Sequence, residues 1–179
     1  MKLLRTIRLD PSDTFVFEKA AEPGEWAVPG GFAFAGVVDP DQLEGKARAA
    51  FRSGFLGLDS FGWSTLVQVV EAGEEDRTAA VDLLAHRLVE HFGAPDLVLA
   101  RAAAEDEIAF TASLCDHPQG MLAALTRKLE DGAIRETFRT LAPGIGAKPI
   151  RAYAFLEVAG EEEAQEQVDL LGIDKGERP

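Results

Sequence analysis

The sequence lacks the residues and segments that several classes of protein require. It has one cysteine, Cys115, which excludes an internal disulfide framework. It has no asparagine, and therefore no N-glycosylation site. No apolar run approaches the roughly 18 residues of a membrane span. Arg5, Arg8 and Asp10 interrupt the apolar stretch that a secretory leader needs, so we expect a cytoplasmic protein without a membrane partner.

Basic residues are also scarce. The chain has 18 Lys and Arg against 31 Asp and Glu, which gives a formal net charge of −13 at pH 7. Binding to nucleic acid or to an anionic membrane depends on clustered Lys and Arg, so neither is expected as a partner. An acidic surface favours solubility and basic partners. The composition therefore leaves protein partners and small molecules as the expected ligands.

The length and the apolar content indicate one folded domain. The 179 residues are 46% hydrophobic and 27% charged, which is typical of a folded soluble protein. The pattern predicts an α+β fold, in which a mostly antiparallel sheet packs against two main amphipathic helices as a single compact domain. This domain is predicted over residues 1–160. Residues 161–179 are predicted to be an acidic C-terminal tail that is partly mobile.

Apolar periodicity and turn signals divide the chain into elements. The two best helices are predicted over 39–54 and over 74–92. In the first of them, Asp39 is the N-cap, Pro40 occupies N1, and the Gln42 side chain at N3 can complete a capping box. A short helix is predicted over 96–104. A loop is predicted over 55–62, and strands over 2–9, 14–17, 25–28, 32–38, 63–70, 108–115 and 150–158.

Glu130-Asp131-Gly132 is the clearest hairpin turn in the chain. Pairing across it sets Leu129 opposite Ile134, Arg127 opposite Glu136 and Leu125 opposite Phe138, all on one face. This register predicts one cross-strand ion pair. A helix over 121–129 also fits the apolar spacing, and residues 104–115 are likewise open to a helical or a strand interpretation.

Chemistry-bearing motifs are few. There is no phosphate-binding loop, no nucleophile elbow and no zinc-binding Cys or His pair at the usual spacing. The one notable cluster is Cys115-Asp116-His117, with Glu107 nearby in sequence. A thiol, a carboxylate and an imidazole are the side chains of a thiol nucleophile or of a metal ligand set. The alternative is a purely structural role, in which Cys115 is a small buried side chain and Asp116 and His117 are turn residues.

The second notable feature is an aromatic loop. Phe55, Phe61 and Trp63 fall within a glycine-rich connection, with Arg52 and Asp59 interspersed. Such residues can line a ligand pocket or a partner surface. They can also simply close the core over the edge of the sheet.

Three segments of the chain are similar to a bacterial family of uncharacterised proteins. The residues that carry the likeness are 2–10 (KLLRTIRLD), 51–57 (FRSGFLG) and 113–118 (SLCDHP). No activity is assigned to that family, so the resemblance implies no substrate and no catalytic residue. It favours an accessory protein over a familiar enzyme.

Two functional hypotheses follow. The first is a non-catalytic cytoplasmic accessory protein that binds a protein or a small ligand through Phe55, Phe61, Trp63, Arg52 and Asp59. The alternative is a small enzyme or metal-binding protein centred on Cys115, Asp116 and His117, with Glu107 as a further candidate. No cofactor is assigned, and no metal site is predicted for the first hypothesis.

An association is also predicted. The hairpin and the last strand would leave a sheet edge open, and exposed edges are usually blocked or paired. Lys128, Arg135 and Arg139 form a basic strip on the outward face of the hairpin. Because this strip complements the acidic helix over 74–92 and the acidic tail, the sequence predicts a salt-sensitive homodimer.

Overall fold

The computed structural model describes residues 1–143 and 156–165. The helices are α1 (Asp13–Val16), α2 (Gly45–Ser53), α3 (Glu74–Phe92) and α4 (Leu97–Ser113), with 3₁₀ turns at Gly31–Phe34 and Pro40–Gln42. The strands are β1 (Lys2–Ile7), β2 (Trp26–Val28), β3 (Phe55–Gly57), β4 (Trp63–Ser64), β5 (Leu66–Glu71), β6 (Leu122–Glu130), β7 (Ala133–Pro143) and β8 (Leu156–Gln165).

The strands of the described residues form one sheet in the order β4-β3-β2-β1-β5-β6-β7-β8. All neighbouring strands pair in antiparallel fashion. Leu3 and Leu4 are adjacent in β1 and both are buried, in two different apolar clusters. Because adjacent residues of a strand point to opposite faces, both faces of the sheet are covered at this strand. The predicted α+β fold with a mostly antiparallel sheet is confirmed.

The hairpin register is confirmed as well. Strands β6 and β7 pair Leu129 with Ile134, Arg127 with Glu136 and Leu125 with Phe138. The turn needs a left-handed backbone, and both Asp131 (φ 54°) and Gly132 (φ 77°) adopt it. The helical alternative for 121–129 is therefore wrong.

The cross-strand ion pair of this hairpin lies in the interior. Arg127 Nε donates to Glu136 Oε1 at 2.6 Å, and neither side chain has exposed surface. The other guanidinium nitrogens donate to the carbonyls of Ala50 and Phe51 in α2, of Gly54 after it, and of Pro29. Burial raises the pKa of Glu136, and the positive charge of Arg127 opposes that shift. Arg127 thus ties the end of α2 to the hairpin.

Helix α4 corrects the largest error of the sequence interpretation. A short helix over 96–104 and a strand over 108–115 were expected, but one helix runs from Leu97 to Ser113. The strand is therefore wrong, and the helical alternative for 104–115 is confirmed as far as Ser113. Its buried residues Ala100, Ala104, Ile108 and Thr111 recur every three to four positions, which is the period of one helical face. The alternation of large and small side chains from Ile108 onward, which suggested a strand, is a coincidence within the longer helical period. Helix α3 lies where it was predicted and ends at Gly93, whose φ of 67° suits a glycine.

Two predicted strands are wrong because short polar side chains and glycine redirect the backbone. Residues 14–16 belong to the single turn α1 in place of a strand, because buried Asp13 at its start accepts hydrogen bonds from Thr65 N and Oγ1. Residues 32–38 begin as a 3₁₀ turn instead of a strand. Gly30 precedes that turn with a φ of 75°, which reverses the chain after β2.

The helix predicted over 39–54 is shorter than expected. Asp39 does cap a turn, accepting from Asp41 N at 2.9 Å and from Gln42 Nε2 at 3.2 Å. That turn is 3₁₀ and ends at Gln42, and α2 begins only at Gly45. The predicted stop at Gly54 is confirmed.

The predicted loop over 55–62 and strand over 63–70 are also divided differently. The loop begins with strand β3, and the strand breaks at Thr65 into β4 and β5. Strand β4 is an edge of the sheet, but residues 19–21 cover it. Trp63 N donates to the Lys19 carbonyl, and Ala21 N to the Trp63 carbonyl, both at 2.8 Å.

The basic strip of the hairpin does not border an open edge, which changes the premise of the predicted homodimer. Strand β8 pairs along β7, and its register sets Glu161 opposite Arg139 and Gln165 opposite Arg135. The exposed residue Arg135 also contacts Glu130 at 3.1 Å. The homodimer itself stays a prediction.

The C-terminal part of the chain is described only in part. Of the strand predicted over 150–158, residues 150–155 lie outside the described residues, and 156–158 belong to β8. Strand β8 crosses residue 160, the predicted boundary between domain and tail, and that division stays a prediction. In the described part of the chain, no helix is both long enough and apolar enough to cross a membrane.

Candidate functional site

The predicted cluster at Cys115, Asp116 and His117 follows the C-terminal end of α4. The Cys115 thiol is buried and donates to the Thr111 carbonyl at 3.2 Å, one helical turn back. Burial raises the pKa of this thiol to about 12, although the charge of Lys2 acts in the opposite direction. A nucleophilic cysteine needs a lowered pKa and access to solvent. Cys115 is therefore placed as a small buried apolar group.

The other members of the cluster are engaged elsewhere. Lys2 Nζ donates to the His117 carbonyl at 2.7 Å, which fastens the turn to β1, and Asp116 is exposed. Glu107 is buried two turns earlier in α4, where its Oε1 accepts from Gly30 N at 3.3 Å. Among residues 1–143 and 156–165, no group of three His, Cys, Asp or Glu side chains could hold a metal ion. A catalytic role for these residues stays a prediction.

The aromatic loop is held in place by a buried carboxylate. Glu25 accepts from Asp59 N at 2.7 Å, from Ser60 N at 2.8 Å and from Ser60 Oγ at 2.5 Å. A fourth donor is the backbone of Glu22 at 2.6 Å. Gly57 leaves room for this carboxylate, because a Cβ there would lie 2.6 Å from it. The loop therefore has one defined conformation.

That conformation turns Phe61 toward α3. Phe61 has a φ of 57°, which is uncommon for a bulky residue. Its ring stacks on His91 with centroids 4.9 Å apart and packs against Phe92 at 5.9 Å. Such a strained backbone persists only where the surroundings fix it, and strained positions concentrate at functional sites.

The remaining predicted surface residues lie in several parts of the fold. Phe55 is buried in the sheet, and Trp63 stacks on Phe34 with centroids 5.1 Å apart. Asp59 is exposed, and its carbonyl accepts from Arg87, which also lies over the Phe61 ring at 5.7 Å. Arg52 is exposed on α2 and lines a concavity. A partner surface at these residues stays a prediction.

A concavity that was not predicted lies between α3 and α4. We call it the helical groove, and its volume is about 300 Å³. It is lined by Asp82, Ala85, Leu97, Val98, Arg101, Ala102 and Glu105. Val89 stands one turn after Ala85 on α3, and residues four apart share a helical face. The part of the groove near the α3–α4 turn is therefore apolar.

This apolar part is unusually open to solvent. Val98 is 79% exposed, Leu97 47% and Leu99 50%, although the three residues are consecutive and apolar. They open α4 directly after Asp96, whose side chain accepts from Leu99 N at 2.8 Å and fixes the start of the helix. Single exposed apolar residues need no explanation, but a cluster beside a groove marks an interaction surface.

The opposite part of the helical groove is charged. Arg101 forms an ion pair with Asp82 across the groove and lies 3.5 Å from Glu105 on its own helix. Two carboxylates against one guanidinium leave one net negative charge. The groove thus has an apolar part and an acidic part, which suits an amphipathic ligand with a basic flank.

The sequence interpretation missed this groove because it divided α4 in two. The available signal was the run Leu97-Val98-Leu99 directly after a good N-cap, at positions where an ordinary helix exposes polar residues. With α4 continuous, that run has to lie beside the end of α3.

Taken together, these features define an α+β protein that carries a helical hairpin and open grooves on an antiparallel sheet. The chain belongs to a family of unknown function, DUF6505, whose family model matches residues 1–154. The resemblance to a family without an assigned activity is confirmed, and a bacterial origin stays a prediction. No curated protein and no solved structure matches the chain.

Proposed function

We propose that the protein is a non-catalytic accessory protein of the cytoplasm, and that it binds an amphipathic, basic helical segment of another protein in the helical groove. The observation that carries this proposal is the exposure of Leu97 and Val98, which line the groove. An amphipathic helix that lies in such a groove covers these side chains with its apolar face. Burying one such side chain contributes about 1.5–3 kcal/mol.

Electrostatics supports a basic partner in preference to an acidic one. The helical groove carries one net negative charge at its polar part, and the whole chain carries −13. A basic segment is attracted over the distance of about one Debye length, about 8–10 Å at physiological salt. An acidic segment is repelled by the same field. The partner is therefore selected by charge and held by apolar contact.

The experiment places a photoreactive amino acid at position 98 in the full-length protein inside cells that produce it. The matched control carries the same group at position 15, since Phe15 is 74% exposed on α1. We expect an adduct at position 98 that is absent at position 15, and a basic amphipathic segment at the cross-link. Equal adducts at both positions, no adduct, or an adduct with a second copy of this chain would contradict the proposal.

The affinity is then measured with a synthetic peptide of the cross-linked segment. Val98→Glu is expected to weaken binding about tenfold or more, because each 1.4 kcal/mol changes the dissociation constant tenfold. Phe15→Glu adds the same charge outside the groove and is expected to change the affinity less than about twofold. Binding should also weaken as salt is raised.

A further inference from the structure

A second concavity lies on another part of the molecule. It is bounded by residues 38–41, by α2 and by the end of β6, and we call it the α2–β6 groove. Its volume is about 490 Å³, within the range of about 300–1,000 Å³ that is usual for small-molecule sites. Its lining comprises Val38, Asp39, Pro40, Asp41, Phe51, Leu129, Glu130 and the basic residues Arg48, Arg52, Arg127 and Lys128.

The carboxylates of the α2–β6 groove are already engaged. Asp39 caps the 3₁₀ turn with both oxygens. Asp41 pairs with Arg48 at 3.1 Å, and Glu130 pairs with Arg135 at 3.1 Å. None of the three is left to neutralise a further cation of the groove.

Of the three guanidinium groups that line the groove, only Arg52 is available to bind a carboxylate. All five N–H donors of Arg127 are matched by Glu136 and by backbone carbonyls. Lys128 also lines the groove, but its ammonium is a point charge without the planar fork of a guanidinium. Arg48 is paired with Asp41. Among the described residues, Arg52 has no carboxylate partner, and it lies one turn from Arg48 on the same face of α2, where like charges repel.

The rest of the α2–β6 groove is apolar. Phe51 is buried in its floor, and Leu129 lies on the face of β6 that carries Arg127. Val38 is 91% exposed at the rim. A bound molecule with an apolar body would remove this side chain from water. The groove therefore combines one available guanidinium with an apolar wall, which is the arrangement of a small-ligand site.

We infer that the α2–β6 groove binds a small organic carboxylate with an aromatic or branched aliphatic body, with Arg52 holding the carboxylate. The planar guanidinium matches a carboxylate with two parallel hydrogen bonds. Free phosphate is disfavoured, because it has no apolar body to cover Val38 and Leu129. This site is independent of the helical groove, so either proposal can fail alone.

The test uses the full chain with phenylacetate and 4-methylpentanoate as probes. Phenylacetamide serves as the neutral counterpart of phenylacetate, and inorganic phosphate as the dianion. Titration calorimetry gives the dissociation constants, and amide chemical shifts in NMR spectra locate the site. We expect at least one carboxylate to bind with a dissociation constant of about 1 mM or below, and the shifts to concentrate at Val38, Arg52 and Leu129.

The variants separate Arg52 from the general charge of the surface. Arg52→Gln is expected to weaken carboxylate binding about tenfold, because it removes the charge-assisted hydrogen bonds of the guanidinium to the carboxylate. Lys46→Gln removes an exposed charge from the same helix outside the groove lining. It is expected to change binding less than about twofold.

The inference is overturned by any of four results. These are no carboxylate binding at about 10 mM, equal binding of phenylacetamide or phosphate, equal effects of the two substitutions, or shifts concentrated outside the groove. Arg52 and Lys46 are both exposed, so neither substitution should disturb the core. An unchanged unfolding midpoint of each variant shows that its fold is intact.

Discussion

Replacing Glu136 with glutamine tests the interior of this protein most directly. The change keeps the size of the side chain but removes the negative charge that lies 2.6 Å from Arg127 Nε. The guanidinium then stays buried with a full positive charge and only carbonyl partners. Breaking a buried ion pair in this way costs about 3–5 kcal/mol. That is a large part of the roughly 5–15 kcal/mol by which a domain is stable.

The assay is equilibrium unfolding in urea, followed by circular dichroism. With a slope of about 2 kcal/mol per molar urea, the expected loss lowers the midpoint by about 1.5–2.5 M. The matched control is Glu130→Gln in the same hairpin. Its pair with Arg135 has a similar distance, 3.1 Å, but both side chains are about half exposed. An exposed pair contributes about 0–1 kcal/mol, so the control midpoint should move little.

A double substitution distinguishes an isolated ion pair from a structural anchor. Arg127→Met combined with Glu136→Leu removes both charges, which in many proteins restores stability. Here the carbonyls of Pro29, Phe51 and Gly54 would lose the donor that Arg127 supplies, whereas the carbonyl of Ala50 keeps Gly54 N at 3.0 Å. A buried acceptor left unsatisfied costs about 1–3 kcal/mol. We therefore expect the double variant to remain unstable. Wild-type stability in that variant, or equal effects of Glu136→Gln and Glu130→Gln, would refute the reasoning.

Two further predictions concern the thiol and the covered edge of the sheet. Because burial raises the pKa of Cys115 from 9.0 to about 12, the protonated thiol stabilises the fold, and this contribution is complete below about pH 9. The contribution is lost as the pH rises toward 12, and the loss amounts to about 2 kcal/mol at about pH 10.5. Urea unfolding at about pH 9 and about pH 10.5 should show this loss in the wild type and not in Cys115→Ala, and an equal loss in both proteins would contradict the prediction. Gly62→Ala should cost about 1–3 kcal/mol or more in the same assay, because its Cβ would lie 2.6 Å from the backbone of Ala20. Gly36→Ala, which meets nothing within 4 Å, should be nearly neutral, and equal midpoints for the two variants would show that the edge is not closed as described.

The sequence predicts best where local chemistry and pairing agree. The β6–β7 hairpin has a turn with a strong left-handed preference, and its register places Arg127 beside Glu136. A shift of one residue would move every apolar side chain to the other face. Helix α3 has an acidic first turn and ends at Gly93, so both of its ends are marked in the sequence. In these segments, the secondary structure that the local sequence favours is also the one that the whole fold requires.

Prediction fails where the deciding contact comes from a distant part of the chain. Residues 14–17 are β-branched and aromatic, but Asp13 binds Thr65, which is 52 residues away, and the segment forms a helical turn. The start of α2 is displaced because Asp39 caps a separate 3₁₀ turn. Such contacts override local propensity and are not visible in the pattern of the segment itself.

The candidate sites show the same division. The exposure of Arg52 is expected for a charged residue on a helix, but the α2–β6 groove forms between elements that Arg127 joins across 76 positions of the chain. The helical groove needs α3 and α4 together, so the apolar run that contains Val98 indicates it only when α4 is continuous. Both sites are properties of packed elements, which explains why motif searches find neither.

The aromatic loop lies between α2 and α3 and contacts both sides through its rings. On one side, Trp63 stacks on Phe34, and Phe34 meets the ring of Phe51 in the floor of the α2–β6 groove at 5.3 Å. On the other side, Phe61 packs against His91 and Phe92 at the end of α3, beside the helical groove. The aromatic loop is therefore joined by ring contacts to Phe51 of α2 on one side and to α3 on the other. These contacts give a structural reason for its dense aromatic composition, and its own role as a partner surface stays a prediction.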